Sequence, residues 1–175
     1  DEKNTYERFR DQFTKLILWK MIEFESVLYI DSDCLVIRNI NYLFNVHKSF
    51  ENDKLIGVSR DIMNGRWLST FNMGVFVVKP NRKEFNRLIN FKNNDKLKFD
   101  TTMSEQGFLN VVYKDKWFEL GFEYNANLAT YSQMNKYWLK RENRISIIHY
   151  TMSKPWECSK TYKKVCEFWQ NITIS

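Results

Sequence analysis

The chain has 175 residues, a hydrophobic content of 43% and a formal net charge of +6. This length is typical of one domain, and the hydrophobic content is enough for a sizeable core, which excludes a disordered chain. An aromatic content of 17%, beside only five Gly and two Pro, excludes a low-complexity scaffold. The positive charge favours anionic partners such as nucleic acid, acidic lipid headgroups or a phosphorylated small molecule.

Cysteine usage and apolar runs bear on the compartment. Cys34, Cys158 and Cys166 have no zinc-ligand spacing, and an odd number makes no disulfide framework. We therefore expect unpaired cysteines, with Cys34 as a buried small hydrophobe, in the cytoplasm. A glycosylation sequon at 171–173 leaves a lumenal compartment open. No apolar run approaches the ~20 residues of a membrane span, so we expect no span.

Helix-like and strand-like segments alternate in the first half of the chain. Apolar residues at helical spacing predict a helix over 5–24, which leads into a strand at 27–33 and a second apolar stretch at 35–37. A helical turn near 41–44 and a strand at 55–59 follow. The strongest strand signal in the chain comes next, at 71–78.

The alternation continues in the second half. Asn81 and Glu84 form a helix-opening capping pair, and this helix is expected to end near Phe91. The remaining predicted elements are a loop at 92–101, a helix at 104–112, strands at 117–120 and 146–150 and an amphipathic helix at 155–170. This order predicts an α/β layered domain without an internal repeat or linker.

Two carboxylates follow the first strand. The apolar run Val27–Ile30 is followed by Asp31 and Asp33. Residues two apart in a strand point to the same side, so both side chains can converge on one cation. Hard divalent ions such as Mg2+ and Mn2+ take oxygen ligands and often share them with substrate phosphates. The spacing predicts a metal site; the simpler alternative is a strand that ends in two aspartates at a turn.

Four motifs match one family in order. They are YIDSD at 29–33, FNMGVFVVKPN at 71–81, SEQGFLN at 104–110 and HYTMSKPW at 149–156. With them the chain resembles the glycogenin-like retaining glycosyltransferases, glycosyltransferase family 8. The resemblance implies a GT-A fold, with a mixed central sheet flanked by helices. It also implies metal-dependent, retaining transfer of a hexose, glucose or galactose, from a UDP-sugar to an acceptor hydroxyl.

The resemblance implies a metal and diphosphate site. Asp31 and Asp33, the Asp-x-Asp (DxD) pair of the family, would bind Mn2+ or Mg2+ together with His149. Lys154, the lysine of the Lys-Pro-Trp element, would contact the donor diphosphate. The spacing from His149 to Lys154 is one residue shorter than in the family pattern, and Met152 replaces the family's Gly.

The resemblance also implies a donor-sugar site and catalytic residues. Lys15, Asn72 and Gly74 would bind the donor sugar. Glu105 stands where the family has an aspartate that binds sugar hydroxyls. Gln106 would place its side-chain carbonyl near the β-face of the anomeric carbon. Glu105 and Gln106 are therefore the predicted catalytic residues.

The front of the chain departs from the family. Family members begin with a nucleotide-binding strand and a segment that holds the base, and nothing before Thr5 resembles them. We expect residues 1–175 to form one family 8 catalytic domain that lacks this N-terminal strand.

Simpler interpretations stand beside these roles. His149 can be a core histidine, Lys15 and Lys154 solvated cations, Asn72 a strand terminator and Gln106 a helix cap. Two other function classes also stay open. A strand ending in Asp-x-Asp occurs in HAD-like phosphatases, although Gly-Thr normally follows it there and Cys-Leu follows here. The other class is a non-catalytic or decayed nucleotide-sugar-binding domain.

The sequence also limits the partners. Its tryptophans lack the alternating basic residues of a nucleic-acid stacking surface, so we expect no nucleic-acid partner. It does not specify the donor sugar, the acceptor (a glycan, a protein or a lipid), the route of retention or the oligomeric state.

Overall fold

The computed structural model describes residues 7–51, 54–94 and 96–173. Its strands form two sheets flanked by helices, and these strands are β1 (Val27–Ile30), β2 (Cys34–Val36), β3 (Ile56–Met63), β4 (Arg66–Val78), β5 (Phe118–Glu119), β6 (Ala126–Asn127) and β7 (Ile147–His149). The larger sheet has the order β1-β4-β3-β5, and the smaller has the order β2-β7-β6. Parallel β3–β5 and β6–β7 pairs beside antiparallel pairs make both sheets mixed, as predicted.

The helices connect these strands and cover the larger sheet. The α-helices of the described residues are α1 (Asn41–Asn45), α2 (Arg82–Lys92), α3 (Ser104–Val112), α4 (Leu128–Gln133), α5 (Asn135–Leu139) and α6 (Lys163–Thr173). Segments with 3-10 geometry are Glu7–Lys20, Val46–Ser49, Thr101–Met103, Phe122–Tyr124, Glu142–Arg144, Pro155–Glu157 and Lys160–Tyr162. The predicted capping pair is confirmed, because the Asn81 side chain accepts a hydrogen bond from the backbone N–H of Glu84 at 3.0 Å.

Strand β4 lies at the centre of the core, which explains its strong sequence signal. Phe76 and Val78 face one hydrophobic cluster, which contains Trp19. Val75 and Val77 face a second cluster on the opposite side of the sheet. Because side chains alternate along a strand, a strand buried on both faces has an almost continuous apolar run.

A hairpin extends both central strands beyond their predicted limits. β3 and β4 meet at Asn64 and Gly65, whose φ angles are 51° and 69°. Positive φ at both turn positions is the geometry that an Asn-Gly pair favours between antiparallel strands. The predicted strand at 55–59 therefore continues to Met63, and this extension places Asp61 within a strand.

The two end helices differ from their predictions. The helix expected over 5–24 is observed at Glu7–Lys20, and its first two predicted positions lie outside the described residues. The helix expected over 155–170 is instead two 3-10 turns followed by α6. Cys158 and Ser159 have extended backbone, with ψ angles of 122° and 153°, and they separate the first turn from the second.

The expectation of unpaired cysteines was wrong for two of them. Cys158 and Cys166 form a disulfide with their Cα atoms 6.3 Å apart. The turn at 160–162 reverses the chain and brings the two residues together, which sequence spacing alone does not reveal. Cys34 is a free thiol, as expected, but it is half-buried rather than buried. The cysteines therefore give no argument for a reducing compartment. Across the described residues, no helix has both the length and the apolar composition needed to cross a membrane.

Candidate active site

A cavity of about 350 Å³ collects every site residue that the sequence predicted. It lies where the ends of β1 and β7 and the middle of β4 approach the first turn of α3. The predicted residues that line it are Lys15, Asp31, Asp33, Asn72, Gly74, Glu105, Gln106, His149 and Lys154. Positions from five separate parts of the sequence, Lys15 and the four motifs, thus meet at one place.

One side of the cavity holds a buried lysine between two carboxylates. The Nζ atom of Lys15 lies 3.0 Å from Asp31 and 2.9 Å from Glu105. It also lies 4.9 Å from the ring centre of Tyr29, a cation–π distance. Burial raises the pKa of Glu105, and the charge of Lys15 opposes that rise. Lys15 therefore compensates the charge of both acids inside a largely dry site.

The opposite side of the cavity is organised by Asp33. Its carboxylate contacts Lys154 through one oxygen and lies 3.4 Å from Nε2 of His149 through the other. Burial acts to raise the pKa of Asp33, but Lys154 and the protonated form of His149 donate hydrogen bonds and supply positive charge that outweigh burial and lower this pKa. Lys154 thus reaches the Asp-x-Asp pair despite its shortened spacing from His149.

Gly74 makes room for His149. A Cβ atom built on Gly74 would lie 2.0 Å from Cε1 of the imidazole and 2.4 Å from Nδ1. His149 is held from both sides, since β7 pairs Cys34 of β2 with His149 and Asn127 of β6 with the same residue. The glycine of the FNMGVFVVKPN motif therefore leaves the space that the ring of His149 occupies, although His149 lies 75 positions further along the chain.

Two residues that the sequence analysis missed belong to the polar network of the site. Asn125 is buried, and its Oδ1 lies 2.9 Å from Nδ1 of His149. Asp61 accepts a hydrogen bond from Nε2 of Gln106 at 3.0 Å, and burial raises the pKa of Asp61. The carbonyl of Gln106 in turn accepts the backbone N–H of Met73 at 3.0 Å, so both ends of this amide are held.

The donor set of the cavity fits a divalent cation. A carboxylate oxygen of Asp33, Sγ of Cys34 and a ring nitrogen of His149 lie within 4.8 Å of one another. Burial and the neighbouring carboxylates raise the pKa of the Cys34 thiol, and a neutral thiol is a poor ligand for a hard ion. Asp33 and His149 are therefore the pair that suits Mn2+ or Mg2+. Asp31 lies on the same cavity but outside this group. β1 ends at Ile30, so the expected same-side alternation does not extend to Asp31 and Asp33, and Lys15 engages the Asp31 carboxylate.

Known proteins share this sequence pattern. The sequence profile of glycosyl transferase family 8 matches residues 2–159. Glycogenin of Neurospora crassa is 29% identical over 150 residues, which cover 85% of this chain and 20% of glycogenin. Inositol phosphorylceramide glucuronosyltransferase 1 of Arabidopsis thaliana is 28% identical over 192 residues, which cover 95% of this chain and 33% of that protein.

A solved structure shares the fold. The apo form of the glycosyltransferase GlyE of Streptococcus pneumoniae superposes with a TM-score of 0.68 at 19% identity, covering 98% of this chain and 44% of GlyE. The chain thus spans less than half the length of each of these three proteins. Its fold is GT-A, as predicted. Because the family profile extends over most of the sequence, the chain belongs to glycosyltransferase family 8.

Proposed function

We propose that this domain is a metal-dependent, retaining hexosyltransferase that moves glucose or galactose from a UDP-sugar to an acceptor hydroxyl. The observation that carries the proposal is the convergence of all nine predicted residues on one cavity. Ion pairs there join Lys15 to Asp31 and Glu105, and Asp33 to His149 and Lys154. The family assignment and the fold rule out the phosphatase alternative.

Asp31, Asp33 and His149 are the residues that would hold Mn2+ or Mg2+. A divalent ion bound there supplies positive charge that offsets the donor phosphates and favours departure of the nucleoside diphosphate. The protein contributes a preset geometry: β7 fixes His149 by pairing on both sides, and the backbone N–H of Asp31 donates to the carbonyl of Gly74 at 2.8 Å.

Lys154 is the residue proposed to bind the diphosphate. Its side chain is 38% exposed and is held by Asp33 and by the carbonyl of Tyr150 at 3.1 Å. An exposed lysine on a flexible stem can exchange a carboxylate for a phosphate at low cost, because both partners are anions. Lys154 therefore moves from Asp33 to the donor when the diphosphate enters.

Glu105 and Gln106 are the residues proposed to act on the sugar. One oxygen of Glu105 is held by Lys15, which leaves the other available to accept a sugar hydroxyl. The carbonyl of Gln106 keeps one lone pair beyond its bond from Met73. Asp61 holds the amide nitrogen of Gln106 and so fixes which end of the side chain faces the backbone.

The relatives guide the choice of donors for the test. The Arabidopsis relative is named a glucuronosyltransferase, so UDP-glucuronic acid belongs in the panel beside UDP-glucose and UDP-galactose. The acceptor is left open. The two relatives have different names, and this chain covers only 20% of glycogenin and 33% of the glucuronosyltransferase.

The test follows UDP release from each donor, with Mn2+ and with EDTA. We expect release that requires the metal and that Asp33→Asn abolishes. Asp115→Asn is the matched control, because Asp115 is exposed, lies outside the cavity and has a φ of 60° that asparagine tolerates. Release that persists in EDTA would contradict the metal role. Tight UDP–Mn2+ binding without turnover, with water or with acceptor sugars, would favour the non-catalytic binding domain.

A further inference from the structure

The orientation of the partly buried Asn72 and the buried Asn125 can be read from one backbone group. The N–H of Gly74 lies 2.9 Å from Asn72, and a backbone N–H is always a donor, so the Asn72 atom that faces it is Oδ1. The same oxygen lies 3.0 Å from the side chain of Asn125. An oxygen facing it there would leave two acceptors opposed, so the Asn125 atom is Nδ2.

The proton on His149 follows from this chain of donors. With Nδ2 of Asn125 turned to Asn72, its Oδ1 faces Nδ1 of His149 at 2.9 Å. An amide oxygen only accepts, so Nδ1 carries the proton and donates to Asn125. The lone pair of the neutral ring is then on Nε2, the nitrogen that faces Asp33.

We infer that Asn125 is a positioning residue that fixes the proton of His149 on Nδ1 and presents Nε2 as a metal ligand, an inference that rests on the proposed function of the site. The order of the relay is Gly74 N–H, Asn72, Asn125 and His149. Asn125 and His149 are 4% and 5% exposed, so the solvent offers little competition for these bonds. Outer hydrogen bonds of this kind select the tautomer and orientation of ligating histidines.

Asp33 is the group that opposes this arrangement. Its oxygen lies 3.4 Å from Nε2, and a carboxylate favours a proton on the nitrogen that faces it. The bond from Nδ1 to Asn125 is 0.5 Å shorter than the distance from Nε2 to Asp33. Asn125 is buried, whereas the Asp33 carboxylate is partly exposed. Without the Asn125 oxygen, Asp33 is the acceptor that faces the ring, so the proton should move to Nε2.

The test measures the tautomer directly by 15N NMR of the imidazole rings at alkaline pH, without metal or donor. The chain has two histidines, so His47 serves as an internal reference. We expect Nδ1–H in the wild type. Asn125→Leu should switch His149 to Nε2–H. Asn125→Asp keeps an oxygen opposite Nδ1 and should retain Nδ1–H, although its second oxygen then faces Oδ1 of Asn72, so its free energy of unfolding should fall. A wild-type ring with Nε2–H, or a leucine variant that keeps Nδ1–H, would overturn the inference.

A second readout separates this inference from the proposed function. Mn2+ alone, titrated by electron paramagnetic resonance, should bind about 10–100-fold more weakly to Asn125→Leu than to the wild type, the usual loss for an outer-shell partner. The aspartate variant should bind at least as well as the wild type, which a merely structural role would not produce. If the wild-type ring has Nδ1–H but Mn2+ does not bind, the relay stands and the metal assignment fails. If the leucine variant does not fold, the wild-type and aspartate spectra still decide the tautomer.

Discussion

Replacement of Gly74 by alanine should displace His149 and remove the metal site. The added Cβ would lie 2.0 Å from Cε1, 2.4 Å from Nδ1 and 2.8 Å from Nε2 of the ring. Since non-bonded carbons approach to about 3.5 Å, the ring must retreat by about 1.5 Å. Metal–ligand distances tolerate only about 0.2 Å, so Nε2 can no longer coordinate. The backbone of β7 is paired on both sides and cannot absorb the movement.

Two measurements follow from this geometry. Overpacking of this kind costs about 1–3 kcal/mol, so Tm should fall by roughly 2–12 °C for a chain of this size. Mn2+ affinity should fall by at least about 10-fold, the lower end of the effect of a misplaced ligand. Gly121→Ala is the control, because its Cβ would lie 2.7 Å from the carboxyl end of Glu123. Displacing that group disturbs one ion pair with the exposed Arg144 and leaves the cavity untouched. Wild-type Mn2+ affinity in a folded Gly74→Ala protein would refute the reasoning.

Four further changes have defined outcomes. Asp33→Asn should lower the free energy of unfolding at pH 7. Because the pKa of Asp33 is depressed in the folded state, this loss should persist above about pH 4, the pKa of an unfolded aspartate, and shrink below it. Urea unfolding at several pH values measures the effect. Lys15→Met should cost about 3–5 kcal/mol, because it leaves a buried carboxylate unpaired. The pKa of Glu105 is already raised and rises further in that variant, so its stability should fall as pH rises from 5 to 8, again by urea unfolding. Reduction of the disulfide, which closes a loop with a sequence separation of 8, should cost about 2–3 kcal/mol, and Cys158→Ser should be insensitive to the reductant. Lys154→Met should strengthen binding of Mn2+ alone and weaken binding of UDP in its presence, as titration calorimetry can show.

The site was predictable because each motif joins a strong local signal to a chemical one. The run at 71–78 is apolar on both faces of β4, which identifies it as a central strand of the sheet. Once β1 pairs with β4, Ile30 lies opposite Val75, which places Asp31 beside Gly74. The resemblance to the family therefore located the carboxylates and the glycine together, and the β1–β4 pairing gives the physical reason that they are neighbours.

Asp61 was missed because the predicted strand ended two residues too early. Asn64-Gly65 is a strong hairpin signal, and with it the strand at 55–59 extends through Asp61. The sequence around Asn125 contains a weaker signal. It lies between a 3-10 turn and β6, a strand of two residues, which is too short for any alternating pattern. Its partner is 24 positions away, and only the parallel pairing of β6 with β7 brings them together.

The two lysines of the site differ in what holds them, and that difference decides which can exchange partners. Lys15 has a side chain only 5% exposed and two carboxylate partners, so release from either would strand a charge in a dry environment. Lys154 is 38% exposed, so water can replace a partner that it loses. Under the proposed function, Lys154 occupies the Asp33 carboxylate until a diphosphate provides another anion for it to bind. Metal alone must compete with this lysine, whereas metal and diphosphate together do not, so each should strengthen the binding of the other.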